Sequence, residues 1–512
     1  MKLDVKLLLT AARSVSLVML AAAGGSTFAQ QSPQLPKQPA APLQSNAKLE
    51  QIIARLERAV PQLMKDGEVP GLSMALVRNG EMVWHHGFGV KNAKTNEPVT
   101  DDTVFEAASL SKPVFAYAVM KLVENGRLDL DKPLNQYLPG DYDVGPDPRL
   151  AQITTRRVLS HTTGFPNWRS EGGTLKIYFT PGEKFSYSGE GFVYLSKVVE
   201  HVTGKQFDAF MKEYVFDPLG MTSSSYVWQS SFDKLKASRH NSLGEPTADM
   251  KPQRANAAAS LHTTARDYGR FVAAILKGTG LKKETLGLML STQIKVDEGG
   301  SNTTSRPADK LSPTISWGLG WGLQTTSEGL SFWHWGDNGD TKAYVVAFQK
   351  EKLGVVVFTN GANGLSIMPE IIAEAVGGQQ PVFAWLKYDS YKSPSLTLQK
   401  AIVAKHADFA LLDYRSWRKG RAAVEVLNET QMNQLGYNLL RSKRVKDAIE
   451  VFKLNVEDYP QSWNTYDSLG EAYKVDGNNE LAIKNYQRSV ELNSNNAGGI
   501  EALKKLRENH KE

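Results

Sequence analysis

The positions of the strand-like runs constrain the fold more than any other feature of the sequence. Five such runs lie in two groups far apart along the chain: Leu72–Val77, Met82–His86, Ser331–Gly336, Ala343–Gln349 and Gly354–Thr359. The first two flank Asn79-Gly80, a pair that suits the tight primed turn of a β-hairpin. Amphipathic runs at Leu49–Leu63 and Leu365–Val376 supply flanking helices. We therefore predict an α/β (α+β) domain whose antiparallel five-stranded sheet is closed by its own ends, flanked by helices and covered on one face by a helical insertion.

The insertion opens with a segment, Phe105–Leu130, that carries a serine and a lysine three residues apart. Apolar residues recur in it at helical spacing and Asn125-Gly126 supplies a stop, so the segment predicts a helix. Residues i and i+3 share a helix face, so the amine of Lys112 can lie beside the hydroxyl of Ser109. A serine hydroxyl is a poor nucleophile until a neighbouring base removes its proton. Ser109 is therefore a candidate nucleophile, the alternative being a helix N-cap beside a solvated lysine.

Serine and lysine occur with the same spacing at three other places: Ser45 and Lys48, Ser231 and Lys234, and Ser416 and Lys419. None of these pairs opens a comparable apolar helix. We interpret them as chance occurrences and keep the Ser109 pair as the candidate for catalysis.

Composition excludes several classes of site. The sequence has no cysteine, which rules out disulfides, thiol nucleophiles, cysteine zinc sites and a lipidated cysteine. Its nine histidines are scattered, and it contains neither a His-Glu-x-x-His helix nor a Gly-x-Ser-x-Gly elbow. We therefore expect no metal, no cofactor and no α/β-hydrolase site. The formal net charge of +6 is spread along the chain and argues little for nucleic acid.

The N-terminus reads as an export signal. Two early lysines precede a short apolar core, Ser14–Ala23, and Thr27-Phe28-Ala29 offers a small-residue cleavage site. We predict a signal peptide over residues 1–29 and a mature chain that is periplasmic or secreted, with an uncleaved anchor as the alternative. Residues 30–46, rich in Gln, Pro and Ala, are predicted to be a flexible linker.

The C-terminal part contains an internal repeat with an offset of 34 residues. Leu435-Gly436, Ala448, Phe452 and Pro460 are matched by Leu469-Gly470, Ala482, Tyr486 and Ser494. This period and pattern resemble the tetratricopeptide repeat. We predict a small all-α repeat domain over residues 428–512, suited to contact with a protein partner, after a helical linker over residues 381–427.

Three further phrases follow Ser109 in a fixed order. They are Leu159-Ser160-His161-Thr162-Thr163-Gly164, Pro181-Gly182-Glu183-Lys184-Phe185-Ser186-Tyr187-Ser188-Gly189-Glu190 and Phe332-Trp333-His334-Trp335-Gly336-Asp337. With Ser109-Leu110-Ser111-Lys112 first, this order resembles the serine β-lactamase and penicillin-binding protein superfamily, and within it the class C, D-aminopeptidase and esterase branch. The resemblance covers roughly Leu49 to Gly378 and implies a β-lactamase-like domain over residues 47–380.

The resemblance assigns the chemistry to three residues. Ser109 resembles the nucleophile that forms the acyl-enzyme, and Lys112 resembles its base partner. Tyr187 resembles the tyrosine of the family's Tyr-x-Asn element, whose oxygen moves a proton between nucleophile and leaving group. A phenol near its reference pKa of about 10 is a poor base, so we expect the lysine charge to lower the pKa of Tyr187. Taken alone, Tyr187 reads as a packed aromatic residue.

Within the last of these stretches, His334-Trp335-Gly336 takes the place of the family's Lys-Thr-Gly strand motif. The backbone N–H of Asp337, just beyond it, and that of Ser109 would form the oxyanion hole. His334 replaces the motif's lysine and is neutral over much of the physiological pH range, so it is less able to grip a carboxylate. By itself, His334 reads as a structural residue of a Trp-rich strand.

A second departure concerns the Tyr-x-Asn element, where Gly189 stands in place of the asparagine. No side-chain amide is then available to hold a substrate amide, unless the neighbouring Glu190 substitutes for it.

His161 is expected to be structural and to hold a loop. Four tryptophans either line an apolar cleft or belong to the core: Trp317, Trp321, Trp333 and Trp335.

Two functional hypotheses follow. In the first, the chain is an exported serine hydrolase that cleaves an ester, amide or peptide bond through a Ser109 acyl-enzyme. Both departures weaken a dedicated β-lactamase and favour another acyl group, although ester, D-amino-acid peptide and β-lactam substrates all stay open. In the second, the chain is a non-catalytic peptidoglycan- or peptide-binding protein whose repeats recruit a partner.

Overall fold

The structure is a computed structural model that describes residues 41–140, 142–170, 172–422 and 425–509. The predicted signal peptide, residues 1–29, and most of the predicted linker after it lie outside the described residues. Among the described helices we find none that combines the length and the apolar character needed to cross a bilayer.

An antiparallel sheet of nine strands forms the centre of the part of the chain that the structure describes. With a separate two-stranded sheet, the strands are β1 (Gly71–Arg78), β2 (Glu81–Asn92), β3 (Glu97–Pro98), β4 (Phe105–Glu106), β5 (His262–Thr263), β6 (Ile294–Asp297), β7 (Leu311–Trp317), β8 (Gly322–Thr326), β9 (Gly329–Asp337), β10 (Lys342–Phe348) and β11 (Leu353–Thr359). The main sheet has the order β3-β2-β1-β11-β10-β9-β8-β7-β6, and β4 pairs with β5. Because β1 pairs with β11, the domain is closed by its own ends, as predicted.

The predicted antiparallel sheet is confirmed, but the predicted number of five strands is wrong. All five predicted runs are strands, and Asn79 and Gly80 form the predicted primed turn with φ values of 53° and 73°. The sequence signals missed β3, β6, β7 and β8. β3 has only two residues, and Pro313 lacks the N–H that a strand donates, so neither β3 nor β7 gives a strong pattern.

Helices cover both faces of the sheet and make up the C-terminal region. They are α1 (Leu49–Gly67), α2 (Ser111–Glu124), α3 (Thr155–Leu159), α4 (Gly189–Thr203), α5 (Phe207–Met211), α6 (Asp217–Leu219), α7 (Phe232–Leu235), α8 (Ala265–Lys277), α9 (Lys283–Met289), α10 (Met368–Ala375), α11 (Val382–Leu386), α12 (Pro394–Trp417), α13 (Glu429–Arg441), α14 (Val445–Asp458), α15 (Trp463–Val475), α16 (Asn479–Leu492) and α17 (Ala497–Asn509). Lys405 and His406 interrupt α12 with non-helical backbone angles.

The central strands are buried on both faces because their side chains alternate between two apolar cores. In β1, Ala75 and Val77 face a core that contains residues of α2 and α8, whereas Leu72, Met74 and Leu76 face a core built with α1 and α10. The first core also includes residues of α3, α4, α5 and α9. The insertion therefore covers one face of the sheet, as predicted.

The C-terminal helices form two equivalent hairpins. The pairs α13–α14 and α15–α16 begin 34 residues apart, which is the offset seen in the sequence. A Cβ at Gly436 would lie 2.4 Å from the ring of Phe452, and one at Gly470 would lie 3.1 Å from the ring of Tyr486. The same close packing thus occurs twice: a side chain at position 436 would collide with Phe452, and one at position 470 would be tight against Tyr486. The predicted all-α region is confirmed, and its assignment to tetratricopeptide repeats stays a prediction.

Candidate active site

Ser109 lies in a 3₁₀ turn, Ala108–Leu110, that runs directly into α2. Its neighbours Ala108 and Leu110 are fully buried, whereas Ser109 is partly exposed. Ala108 has a φ of 47°, in the left-handed region that costs an L-residue about 1–2 kcal/mol. Such strain persists only where the surrounding packing enforces it, and it is concentrated at active sites. The turn therefore presents Ser109 from a rigid, strained support.

Lys112 is fully buried and contacts Ser109 directly. Its Nζ donates to Ser109 Oγ at 3.0 Å and to the carbonyl oxygen of Ala258 at 2.8 Å, and it lies 4.7 Å from the ring centre of Tyr187. Among the described residues no carboxylate forms an ion pair with it. Burial lowers the pKa of Lys112 well below the ordinary lysine value. A neutral amine at this position can accept the serine proton.

Tyr187 is also buried, and its ring packs against the β9 motif, 4.7 Å from the ring of Trp335 between centres. Burial raises the pKa of Tyr187 well above its usual value, and the hydroxyl of Ser109 offsets part of that rise. Apart from the hydroxyl of Ser109, the phenol oxygen has no polar partner among the described residues. Our expectation that the charge of Lys112 lowers this pKa is therefore wrong. Tyr187 is a protonated donor that faces Ser109.

His161 packs against Tyr187 and the loop that follows it. Its ring stacks on that of Tyr187 with 4.3 Å between centres, and its Nδ1 accepts a hydrogen bond from the backbone N–H of Ser188 at 2.9 Å. Because Nδ1 accepts, the neutral ring carries its proton on Nε2. Burial lowers the pKa of His161 well below its usual value, so the ring is neutral. It holds the loop before α4, as expected.

His334 lies on β9 and faces Tyr187 with 6.1 Å between ring centres. Its Nδ1 lies 2.8 Å from the carbonyl oxygen of Trp335, and a carbonyl only accepts, so Nδ1 carries the proton and Nε2 presents a lone pair. Burial, with a smaller contribution from Lys112, lowers the pKa of His334 to about 3. His334 is therefore a neutral group at physiological pH.

Gly336 lets β9 run against the turn that carries Ser109. A Cβ at this position would lie 2.6 Å from the carbonyl oxygen of Ala107 and 3.2 Å from the Cβ of Ala108. The close approach places the next residue, Asp337, at the end of the strand beside that turn. No side chain larger than hydrogen fits at position 336 without moving one of the two backbones.

The carboxylate of Asp337 is fully engaged. Its Oδ1 accepts from Lys342 Nζ at 2.5 Å and from the backbone N–H of Gly339 at 2.8 Å, and its Oδ2 accepts from the hydroxyl of Tyr388 at 2.6 Å. Burial alone would raise the pKa of Asp337, but Lys342 and Tyr388 outweigh it and the pKa is lowered. The carboxylate is thus held in place, and the oxyanion role of the Asp337 backbone N–H stays a prediction.

The position that the family's asparagine would occupy is covered by an indole. A Cβ at Gly189 would lie 2.6 Å from the ring of Trp168, which is 45% exposed. Glu190 does not substitute for the asparagine, because Arg169 binds its carboxylate through the backbone N–H at 3.0 Å, Nε at 3.1 Å and Nη2 at 2.8 Å. The hypothesis that Glu190 takes over this role is therefore wrong.

The structure brings the predicted residues together: Ser109, Lys112 and Tyr187 contact one another, while His334 and Gly336 border them on β9. Sequence reasoning missed Trp168, Arg169 and Tyr388, which reach the site from other segments.

The tryptophans that follow β6 belong to the core, because Trp317, Trp321 and Trp333 are fully buried and Trp335 is nearly so. In the described part of the chain, no group of three or more His, Cys, Asp or Glu side chains is arranged to hold a metal ion.

Comparison with known sequences gives a consistent picture. A family model described as Beta-lactamase matches residues 56–377. Penicillin-binding protein 4 of Amycolatopsis lactamdurans is 27% identical over 345 residues, which cover 62% of this chain and 87% of that protein. Esterase EstB of Burkholderia gladioli is 28% identical over 228 residues, which cover 38% of this chain and 56% of that protein.

Comparison with solved structures shows the same fold. The octameric penicillin-binding protein homologue from Pyrococcus abyssi is similar with a TM-score of 0.52 and 23% identity, over 69% of this chain and 81% of that chain. The D-alanine carboxypeptidase AmpC from Burkholderia cenocepacia is similar with a TM-score of 0.53 and 19% identity, over 64% of this chain and 99% of that chain.

Proposed function

The chain belongs to the β-lactamase family, and from this membership and the geometry around Ser109 we propose that it is a serine hydrolase that cleaves an ester, amide or peptide bond through an acyl-enzyme. The observation that carries the proposal is the pair of Ser109 and Lys112. A fully buried amine lies 3.0 Å from the serine oxygen and has no carboxylate partner among the described residues. A buried lysine that serves only stability is normally paired, whereas a general base must be neutral.

Acylation follows from the positions of three side chains. Lys112 takes the proton of Ser109 as its Oγ attacks the carbonyl carbon, and the backbone N–H groups of Ser109 and Asp337 stabilise the oxyanion. As the bond to the leaving group breaks, Tyr187 gives its proton to the departing oxygen or nitrogen, and the Lys112 ammonium restores the proton of Tyr187. The leaving group departs neutral and the amine is neutral again.

Deacylation uses the same groups in the opposite direction. Water gives a proton to Lys112 as its oxygen attacks the acyl carbon, and the same two N–H groups stabilise the oxyanion. The Lys112 ammonium then protonates Ser109 Oγ as the acyl group leaves as an acid. Both half-reactions therefore need a neutral Lys112 at their start.

The surroundings of the nucleophile favour an uncharged acyl group. His334 is neutral, so it offers no cation for a substrate carboxylate, and Trp168 covers Gly189 where an amide side chain would bind a substrate amide. We therefore propose an ester or an uncharged amide as substrate in preference to a β-lactam. The signal-like residues 1–29 support an exported, periplasmic or secreted enzyme.

The alternative of a non-catalytic binding protein explains less. A protein that only binds peptidoglycan or a peptide has no need of an unpaired, buried lysine beside a strained serine turn. The repeats can still recruit a protein partner to an active hydrolase, and we propose that role for α13–α17.

A substrate panel with covalent labelling tests the proposal. We expect turnover of short-chain p-nitrophenyl esters or D-amino-acid amides, slower turnover of a chromogenic cephalosporin, and a fluorophosphonate adduct that peptide mapping places on Ser109. Ser109→Ala should lose both turnover and labelling. Turnover that persists in Ser109→Ala, or an adduct on another serine, would contradict the proposed acyl-enzyme.

A further inference from the structure

The segment just beyond the part of the chain that matches the family returns to the active site. The match ends at residue 377, and α11 (Val382–Leu386) follows it with Val382 and Trp385 buried in the same core as β9. Lys387 ends α11 in the left-handed conformation, with φ of 58° and its N–H donating to the carbonyl of Phe383. This turn brings the next residue, Tyr388, to the end of β9.

Trp385 fixes α11 to the sheet. Its Nε1 donates to the carbonyl oxygen of Asp297 at 2.8 Å, and its ring lies 5.8 Å from Trp333 and 6.1 Å from Trp335 between centres. A buried indole with its N–H satisfied is held in one orientation. The segment that carries Tyr388 is therefore a packed part of the sheet domain and not a free linker.

Tyr388 binds the carboxylate that follows the Gly336 strand motif. Its hydroxyl donates to Asp337 Oδ2 at 2.6 Å, while Asp337 Oδ1 is occupied by Lys342 and by the N–H of Gly339. Burial and the charge of Asp337 raise the pKa of Tyr388, so its hydroxyl keeps the proton that it donates. A hydrogen bond to a charged acceptor is among the stronger ones in proteins.

We infer that Tyr388 is a positioning residue of the active site, which holds through Asp337 the strand end whose backbone N–H is the second oxyanion donor. The inference rests on the proposed function. An oxyanion donor acts over a narrow range of distances, about 2.7–3.1 Å, so a small rotation of Asp337 weakens it. Gly336 packs directly against the backbone of Ala107, so the strand end has no free space there. Its orientation therefore depends on the hydrogen bonds that the Asp337 side chain makes.

The same contact connects the site to the C-terminal helices. Asp389, next to Tyr388, accepts a hydrogen bond from Gln431 Nε2 at 3.4 Å, and Gln431 belongs to the first turn of α13. Asn438 of α13 also donates to Gln399 at 3.2 Å, and Gln399 donates to the carbonyl oxygen of Ser242 at 2.8 Å. The position of Tyr388 is thus supported from both the sheet and the repeats.

The test is Tyr388→Phe in the full-length protein, with Tyr391→Phe as the matched control. Tyr391 lies in the same segment, but its neighbours are Lys392 and the Ser366 carbonyl rather than Asp337. We expect Tyr388→Phe to lower kcat for a p-nitrophenyl ester by roughly tenfold with KM within about twofold, because one hydrogen bond to a charge is lost and no packing is changed. The melting temperature should fall by a few degrees for the same reason, and the protein should stay folded at the assay temperature. Tyr391→Phe should leave kcat and KM at wild-type values.

Asp337→Ala provides a second reading that does not depend on the tyrosine substitution. It should lower kcat at least as much as Tyr388→Phe, and adding Tyr388→Phe to it should change kcat by less than about twofold, since both remove one contact. Suppose that wild-type protein turns over ester and is labelled at Ser109. If Tyr388→Phe then keeps full kcat, or if the kcat losses of Tyr388→Phe and Asp337→Ala multiply in the double variant, the role of Tyr388 is refuted. The proposed hydrolase function is not affected by either result. If wild-type protein shows neither turnover nor labelling, the proposed function fails, and this role fails with it.

Discussion

Two buried lysines lie on either side of the Ser109 turn, and their surroundings are opposite. Lys236 is paired with two carboxylates, at 3.1 Å from Glu106 Oε1 and 2.7 Å from Asp249 Oδ1. Lys112 is buried as completely, but its described neighbours are a hydroxyl, a carbonyl and aromatic rings. The same residue type therefore has two counter-ions in one pocket and, among the described residues, none in the other.

The difference between the two pockets shows how burial can give a lysine either a structural role or a catalytic one. Burial would raise the pKa of Glu106, but Lys236 and Arg239 outweigh it and the pKa is lowered, so that pocket is a stable ion pair. In the other pocket burial acts alone and lowers the pKa of Lys112. Removing a counter-ion makes a base, whereas keeping one makes a structural pair.

The largest effect should come from removing the hydroxyl that Lys112 contacts. Ser109→Ala eliminates the atom that carries the acyl group, so turnover should fall to background while the far-ultraviolet circular dichroism spectrum and the melting temperature stay at wild-type values. Ser231→Ala is the control, since Ser231 and Lys234 have the same spacing in a different setting. A loss of activity in the control would show that spacing alone had misled the assignment.

Replacing each lysine with methionine tests the comparison directly. Lys112→Met should abolish turnover about as completely as Ser109→Ala, and the double variant should be hardly worse than either single one, because the two groups act as a unit. Lys236→Met removes the nearest cation from the buried carboxylate of Glu106 and leaves the more distant Arg239, at 3.9 Å, so the free energy of unfolding should fall by about 3 kcal/mol. Its kcat should change much less than that of Lys112→Met. Denaturant unfolding and ester turnover at pH 7 measure both.

Lys112→Met should not lower the free energy of unfolding, in contrast to Lys236→Met. The unfolded lysine is protonated below its pKa of about 10.4, whereas the folded protein holds the amine neutral, so wild-type folding releases a proton and is penalised increasingly as pH falls toward the folded pKa. Methionine removes this penalty, so Lys112→Met should be at least as stable as wild type at pH 7. A destabilisation as large as that of Lys236→Met would mean that Lys112 is charged and paired.

Tyr187→Phe should have a smaller but still large effect. It keeps the ring that packs on His161 and removes only the proton that reaches the leaving group, so kcat should fall by roughly a hundredfold. Tyr344→Phe is the matched control, because Tyr344 is also a buried tyrosine whose hydroxyl has no hydrogen-bond partner among the described residues, and its ring packs on Phe383. Equal losses in the two variants would mean that packing and not proton transfer is responsible.

Local patterns predicted the parts of the fold and site that depend on neighbours in sequence. Asn79-Gly80 set the hairpin, and the spacing of Ser109 and Lys112 on one helix face brought their atoms to 3.0 Å. The contact of both with Tyr187 followed from the order of the family phrases. In each case a short stretch of residues carries the information, so one sequence suffices.

Contacts between distant segments could not be predicted in this way. Tyr388 meets Asp337 across 51 residues, and Trp168 covers Gly189 because Arg169 and Asn167 bind the start of α4. No periodicity or motif encodes these pairings, since they depend on where whole segments pack. The pKa of Tyr187 was mistaken for the same reason: the motifs show that a lysine is near, while the burial that raises this pKa is a property of the assembled pocket.

The smallest expected effect is that of His334→Gln, and it is measured through the pH dependence of kcat/KM. Only protein with neutral Lys112 is active, so kcat/KM should rise with pH through the pKa of Lys112 and level off well below the value of an ordinary lysine, about 10.4. His334 titrates at about 3 and stays neutral over the rest of the range. His334→Gln, which can still donate to the Trp335 carbonyl, should therefore lower kcat/KM only a few-fold and leave the midpoint of the rise in place. A midpoint that moves in His334→Gln would transfer the role of base from Lys112 to the imidazole, and the contrast between the two lysines would then no longer explain the chemistry.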